Sequence, residues 1–313
     1  MMQTESVLPF QLDNSDVRGR IVRFKNVLGK ILSRRKYPPS VEELVAETMV
    51  LTAVIGQSIK LRWKLSLQVR GDGPVRLIAS DYFAPDSFGL PARIRVYSSF
   101  DSERTNPHAS LPFKETGKGY FAVLIDQGES QTPYQGITPI TGTTIARCAE
   151  SFFEQSEQLA TRIVVATERS AADNKICQAG GILVQHMPKK SSDSPRRSRI
   201  NGNGHAAGHD DWCRVSSLLA TATKREIAGD ETTSEMLLYR LFHEEQPRVF
   251  ERQPVEFGCT CSPEKVRRSL SVYSARDIST MTTDQGTVDA VCQFCGATYV
   301  FDPASLGFEA QIG

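Results

Sequence analysis

The longest regular pattern in the chain starts behind Pro38-Pro39-Ser40, where Val41, Leu44, Val45, Thr48, Leu51 and Ile55 recur at helical spacing. Ser40 and Glu43 stand three apart, as a capping box requires, so an amphipathic helix is predicted here. The period then drops to two. Ile59, Leu61, Trp63, Leu65, Leu67 and Val69 alternate with Lys60, Arg62, Lys64, Ser66 and Gln68, which predicts a strand with one wet face. Gly71-Asp-Gly-Pro74 turns the chain into a second strand at 75–79, and 93–97 and 120–126 read as two more. No helical pattern separates these strands, so the sheet is predicted to be largely antiparallel. The paired glycines start neither phosphate-binding pattern, and a hairpin turn explains them.

Helical spacing returns over 143–159, with Ile145, Ala149, Phe152, Ser156 and Leu159 on one face; 161–166 and 179–185 follow as strands. Cys148 and Cys177 lie in these patterned stretches, where an isolated cysteine serves as a small hydrophobe. The first sixteen residues carry no pattern and are expected to form a tail. From Pro188 to about 210 the chain is rich in Ser, Pro, Gly, Asn and Arg and reads as a flexible insert. His205, His209 and Cys213 are spaced like ligands, but a polar loop of this kind rarely pre-forms a metal site. Two helical segments come next, at 212–223 and 234–245. Their apolar residues, Trp212, Leu218, Leu219, Leu237, Leu241 and Phe242 among them, need a surface to pack on. His243-Glu244 resembles the start of H-E-x-x-H, but Pro247 stands where the second His should be.

The chemistry is concentrated near the C-terminus. Cys259 and Cys261 form a C-x-C pair, and thirty residues later Cys292 and Cys295 form a C-x₂-C pair. Residues two apart in an extended segment point the same way, so the first pair can offer both sulfurs to one ion. Four thiolates suit tetrahedral Zn²⁺, one per chain. The rival readings are four buried free thiols or a redox C-x₂-C site. The latter normally opens a helix, whereas Cys295 leads into Gly296 and the strand-like Thr298–Phe301. Ser262-Pro263-Glu264 predicts a helix start directly behind Cys261.

Composition narrows the field. Thirty-seven basic against thirty-six acidic residues leave a net charge of +1, which provides no overall attraction to nucleic acid or anionic membrane. The opening residues have no basic and apolar targeting pattern, and no apolar run reaches about eighteen residues. A soluble, cytoplasmic protein is expected, with no membrane partner. Seven cysteines in such a chain fit a reducing compartment.

Taken together, YQGITPI at Tyr134–Ile140, SFFEQSEQLATRI at Ser151–Ile163, AGGILVQ at Ala179–Gln185, RLFHEEQPRVF at Arg240–Phe250 and the cysteine array resemble the 33 kDa chaperonin family, the redox-regulated holdase chaperones of bacteria. The resemblance spans most of the chain; the N-terminal residues and the polar insert depart from it. It implies an α+β protein: an N-terminal α/β substrate-binding domain at 17–187 with a largely antiparallel sheet, an insert and helical linker at 188–247, and a small C-terminal zinc-binding domain at 248–313. It also implies an ATP-independent stress-response chaperone, not an enzyme, that binds unfolded or oxidatively damaged client proteins. In such a protein the reduced, zinc-bound form is inactive. Oxidation pairs Cys259 with Cys261 and Cys292 with Cys295 as disulfides, releases zinc and yields an active homodimer.

The linker's apolar residues, Trp212, Leu218, Leu219, Leu237, Leu241 and Phe242, are then candidates for a switch or client surface; a permanent inter-domain core is the alternative. A zinc-ribbon nucleic-acid-binding protein would share the cysteine array. It should also carry a basic patch with interleaved aromatics, which the C-terminal segment lacks. A thiol-disulfide oxidoreductase would need a thiolate at a helix start.

Overall fold

The computed structural model describes residues 5–128, 131–187 and 207–307, with side chains from residue 210 in the last stretch. In chain order the elements are β1 (Ser6–Leu12), β2 (Val17–Phe24), α1 (Asn26–Leu32), α2 (Pro39–Ser58), β3 (Lys64–Gly71), β4 (Val75–Phe83), β5 (Ala92–Phe100), β6 (Gly119–Asp126) and β7 (Tyr134–Pro139). Then come α3 (Ile145–Ser156), β8 (Thr161–Arg169), β9 (Ile176–His186), α4 (Ala207–Ala220), α5 (Lys224–Ala228), α6 (Ser234–Phe242), β10 (Pro247–Val249) and β11 (Gln253–Phe257). The C-terminal part holds α7 (Pro263–Leu270), α8 (Ala275–Met281), β12 (Val288–Val291) and β13 (Thr298–Phe301). The chain divides into two compact units after Phe257.

Eleven strands of the first unit form one sheet in the order β7-β6-β3-β4-β5-β11-β1-β2-β9-β8, with β10 beside β1. Every pairing is antiparallel except β11 with β5. That single strand joins two antiparallel halves, because its other neighbour is β1. The expected N-terminal tail is, from Ser6 to Leu12, a strand: Val7, Leu8, Phe10 and Leu12 are fully buried. The boundary expected near 248 falls ten residues later, because β10 and β11 belong to this sheet.

Helix α2 lies across one face of the sheet and is buried on nearly every side. Its interior hydroxyls satisfy themselves within the helix, Thr48 Oγ1 donating to Leu44 O at 2.7 Å and Thr52 Oγ1 to Thr48 O at 2.6 Å. The predicted Ser40–Glu43 capping box does not form. The helix starts at Pro39 with Pro38 as its cap, since a proline at the first helical position needs no N–H partner. Glu43 instead faces Arg169, at 3.7 Å. Strand β3 starts at Lys64, later than its alternation suggests, and Lys60 and Arg62 are exposed.

The opposite face of the β1-β2-β9 half has its own cover. Period-two alternation sends Leu8, Phe10, Leu12, Val17, Ile21, Ile182 and Val184 to this side, and α4 and α6 bury them with Val215, Leu219, Leu237, Leu238, Leu241 and Phe242. Phe10 and Phe242 stack with ring centroids 6.1 Å apart. Helix α5 sits close over β9 because residue 180 is glycine: a Cβ there would come within 2.2 Å of Ile227 O.

The second unit is small. Helices α7 and α8 and the β12–β13 hairpin enclose four buried side chains, Ile278, Val288, Phe301 and Leu306.

Candidate metal centre

In the second unit the chain leaves β11 as an extended loop, and Ser262 caps α7 by accepting Lys265 N–H at 3.3 Å. The Ser262-Pro263 start is thus where the sequence predicts it. Lys265 Nζ also donates to Thr260 O at 2.7 Å, fixing the residue between Cys259 and Cys261. The other two cysteines form a knuckle between β12 and β13. Gly296 N–H returns to Cys292 O at 2.8 Å and Cys292 N–H donates to Ala297 O at 2.9 Å; Gly296 takes φ +75°, which favours glycine.

These two loops bring all four sulfurs within 4.8 Å of one another. Cys259 Sγ lies 3.7 Å from Cys292 Sγ, and Cys261 Sγ 3.4 Å from Cys295 Sγ. A tetrahedron with Zn–S bonds of about 2.3 Å has edges of about 3.8 Å, so the sulfur set fits such an ion. None of the cysteines is in a disulfide. Burial pushes the Cys295 thiol up to about 12, although the Ala297 amide favours its thiolate, and burial raises Cys261 as well. A divalent cation is the partner that would hold such sulfurs as thiolates at neutral pH. The hydroxyl of Tyr299 on β13 donates to Cys261 Sγ at 3.1 Å. Sequence reasoning missed this contact; its only signal is that Tyr299 shares a strand face with buried Phe301.

The linker residues singled out from sequence fall in one place in the first unit. Leu219, Leu237, Leu241 and Phe242 are buried in the cover over β1-β2-β9, and Trp212 and Leu218 pack at its margin. Sequence reasoning named one side of this interface only. Its sheet side, with Leu8, Phe10 and Leu12, lies partly in the stretch expected as a tail.

A polar rim fastens the cover. Arg214 on α4 forks onto Glu245, Nε to Oε1 at 2.5 Å and Nη2 to Oε2 at 3.1 Å, and Glu245 is only 2 % exposed. Arg23 on β2 donates to the carbonyls of Glu226, Ile227 and Thr232, tying down α5 and the turn after it. The Asn14 side chain donates to Glu244 O at 2.8 Å. Cys213 is exposed; His205 and the His209 side chain lie outside the described residues. No helix among the described residues is long and apolar enough to cross a membrane.

Comparison with known proteins agrees with this architecture. The chain is 33 % identical to the 33 kDa chaperonin of Caulobacter vibrioides (strain NA1000 / CB15N) over 303 residues, covering 95 % of this chain and 94 % of that protein. It is 32 % identical to the 33 kDa chaperonin of Shewanella denitrificans over 297 residues, covering 95 % and 92 %. The crystal structure of the 33 kDa chaperonin, a heat shock protein 33 homolog, from Thermotoga maritima superposes with a TM-score of 0.74 over 96 % of both chains at 19 % identity, a likeness of fold. The family model described as Hsp33 protein matches residues 5–302, and the chain therefore belongs to the Hsp33 family of chaperones.

Proposed function

We propose that this chain is a redox-regulated, ATP-independent holdase that keeps unfolding proteins from aggregating and is switched on by oxidation of Cys259, Cys261, Cys292 and Cys295. The observation that carries the reading is the four-sulfur cluster, set in a unit whose core, among the described residues, is four buried side chains. A core that small commonly depends on a metal to stay folded. Zinc, when bound, would hold the four sulfurs as thiolates and tie the Cys259–Cys261 loop to the Cys292–Cys295 knuckle.

Oxidation changes the ligands themselves. Each pair of thiolates that becomes a disulfide gives two electrons to one hydrogen peroxide, which takes two protons from solvent and leaves as two waters. Disulfide sulfurs no longer bind a metal as thiolates do, so loss of the ion and unfolding of the second unit go together. The pairing Cys259–Cys261 and Cys292–Cys295 follows from the family likeness. A C-x-C disulfide closes a tight ring, and the strain makes it readily reversible by cellular thiols.

The client surface in this reading is the apolar face of β1-β2-β9. Released from α4 and α6, Leu8, Phe10, Leu12, Val17, Ile21, Ile182 and Val184 would form a continuous apolar patch of the kind that binds unfolded chains. Trp212, Leu218, Leu219, Leu237, Leu241 and Phe242 are the switch side of the interface. Dimerisation of the oxidised form and a cytoplasmic location complete the proposal.

The test follows zinc release and the light scattering of a thermally unfolding client, with reduced protein compared with protein treated with peroxide at mild heat. About one zinc should leave per chain as protection appears, and reductant should restore the thiols. Equal protection by both forms, or by neither, would reduce the cysteine cluster to a structural site.

A further inference from the structure

We propose that the free edge of β7 takes an extended segment of an unfolded client as an added strand, a partner whose identity rests on the holdase reading. The client backbone pairs with Gln135 and Ile137 whatever the redox state of the cysteines.

In an antiparallel pair every second residue exchanges its N–H and C=O with the neighbouring strand, and the residues between point theirs away. Ile140 N–H donates to Gly119 O at 3.0 Å, and the register carries that alternation along β6 and β7, through Thr138 with Phe121, Gly136 with Val123 and Tyr134 with Ile125. The backbone groups of Gln135 and Ile137 therefore face outward, and β7 ends the sheet on that side. Among the described residues nothing takes them. At the opposite end of the sheet the edge is answered. There Glu150 Oε1 of α3 accepts Ile163 N–H of β8 at 2.8 Å, and α3 and α5 pack along that strand.

The β7 edge is fixed in place and neutral. The Tyr134 hydroxyl donates to Glu157 at 2.8 Å, and Gly136 lies so close to α3 that a Cβ would meet Phe152 at 2.3 Å. No charge stands between Pro133 and Ile140, although sheet edges are commonly guarded by lysine. Pro133 and Pro139, which have no N–H to offer, blunt the two ends instead. Two open rungs remain, with Ile137 55 % exposed beside them. Strand addition draws its affinity from main-chain groups that every polypeptide carries, so this edge accepts many sequences. A second copy, paired edge to edge about Gly136, would set apolar Ile137 against polar Gln135 in both rungs, whereas a client can offer an apolar residue there. Two rungs bind weakly alone. Joined through one client to the larger face freed from α4 and α6, they add avidity.

The test titrates reduced protein, with no oxidant present, into a fluorescein-labelled peptide of alternating Thr and Val flanked by Lys. Anisotropy reports binding, and hydrogen exchange is read at the Gln135 and Ile137 amides. The peptide should bind and slow those two amides about tenfold. N-methylation of two adjacent central amides, which blocks both edges of the peptide, should weaken binding about 5–10-fold. Ile137→Pro removes an N–H that β6 does not use and should weaken binding by a similar factor. Unchanged exchange at Gln135 and Ile137 would overturn the proposal. So would equal binding of the methylated peptide, a result that needs no variant to fold. Exchange that slows with protein concentration alone would overturn it in favour of a second copy. Because the cysteines stay reduced throughout, failure here leaves the redox switch standing, and failure of the zinc-release assay leaves this outcome untouched.

Discussion

Truncating Phe242 to alanine tests whether the covered sheet face is the client surface. The ring is fully buried and stacks on Phe10, so its removal leaves a hole between cover and sheet. Phe→Ala in a core costs about 3–5 kcal/mol, and at about 1.4 kcal/mol per factor of ten the undocked population of α6 should rise by two to three and a half powers of ten. The larger core around α2 is untouched, so the first unit should remain folded while its cover loosens. Hydrogen exchange should report faster exchange on α4 and α6 with β2–β9 still protected. The reduced, zinc-loaded variant should then bind an apolar dye and suppress client aggregation without oxidant. If α6 amides exchange quickly and clients still aggregate as they do with wild type, the covered face is not where clients bind. If those amides stay protected, the worked magnitude is wrong.

Further outcomes follow from other contacts. Arg214→Ala leaves the buried Glu245 carboxylate without its fork; the pair is half exposed on the arginine side, so a discounted loss of about 1–3 kcal/mol is expected by denaturant melts, with the reduced protein partly active. Glu47 accepts Ala146 N–H at 2.9 Å, and burial pushes its carboxyl from 4.5 up to about 7. The native state therefore holds this proton more tightly than the unfolded chain. The stabilisation is fully present below about pH 4.5 and lost as pH rises through about 7, so Glu47→Gln should gain on wild type in melting temperature between pH 5 and 8. Stripping metal with a strong chelator under reducing conditions should collapse the amide dispersion of residues 258–307 while β1–β9 signals persist. Gly180→Ala drives a methyl toward Ile227 O and should lift α5, seen as faster exchange at 224–228.

What the sequence made legible was whatever a short period or a fixed spacing encodes. The cysteine spacing places four sulfurs together, and the Thr298–Phe301 alternation places a strand behind the knuckle. The sticky face on α4 and α6 was legible too, but not what it covers. Its partners come from β1, β2 and β9, and no local pattern says which strand face will meet which helix. β1 escaped because Leu8, Phe10 and Leu12 alternate over only a few residues beside Pro9 and unpatterned flanks. The Ser40–Glu43 spacing misled for a related reason: a proline pair fixes the backbone more strongly than one side-chain bond. Tyr299 lies thirty-eight positions from Cys261, beyond any motif.

The strand that closes the sheet is among the last to be made. Phe10 pairs with Val249 and Ser6 with Pro254, so β1, once made, waits for partners that follow much later in the chain. At about 5–20 residues per second that wait lasts roughly tens of seconds. Throughout it, one edge of β1 and the apolar row Leu8, Phe10 and Leu12 lack both their strand partners and the α4–α6 cover. A newborn molecule of this chain thus passes through a stage in which it presents to its surroundings the apolar row it later hides.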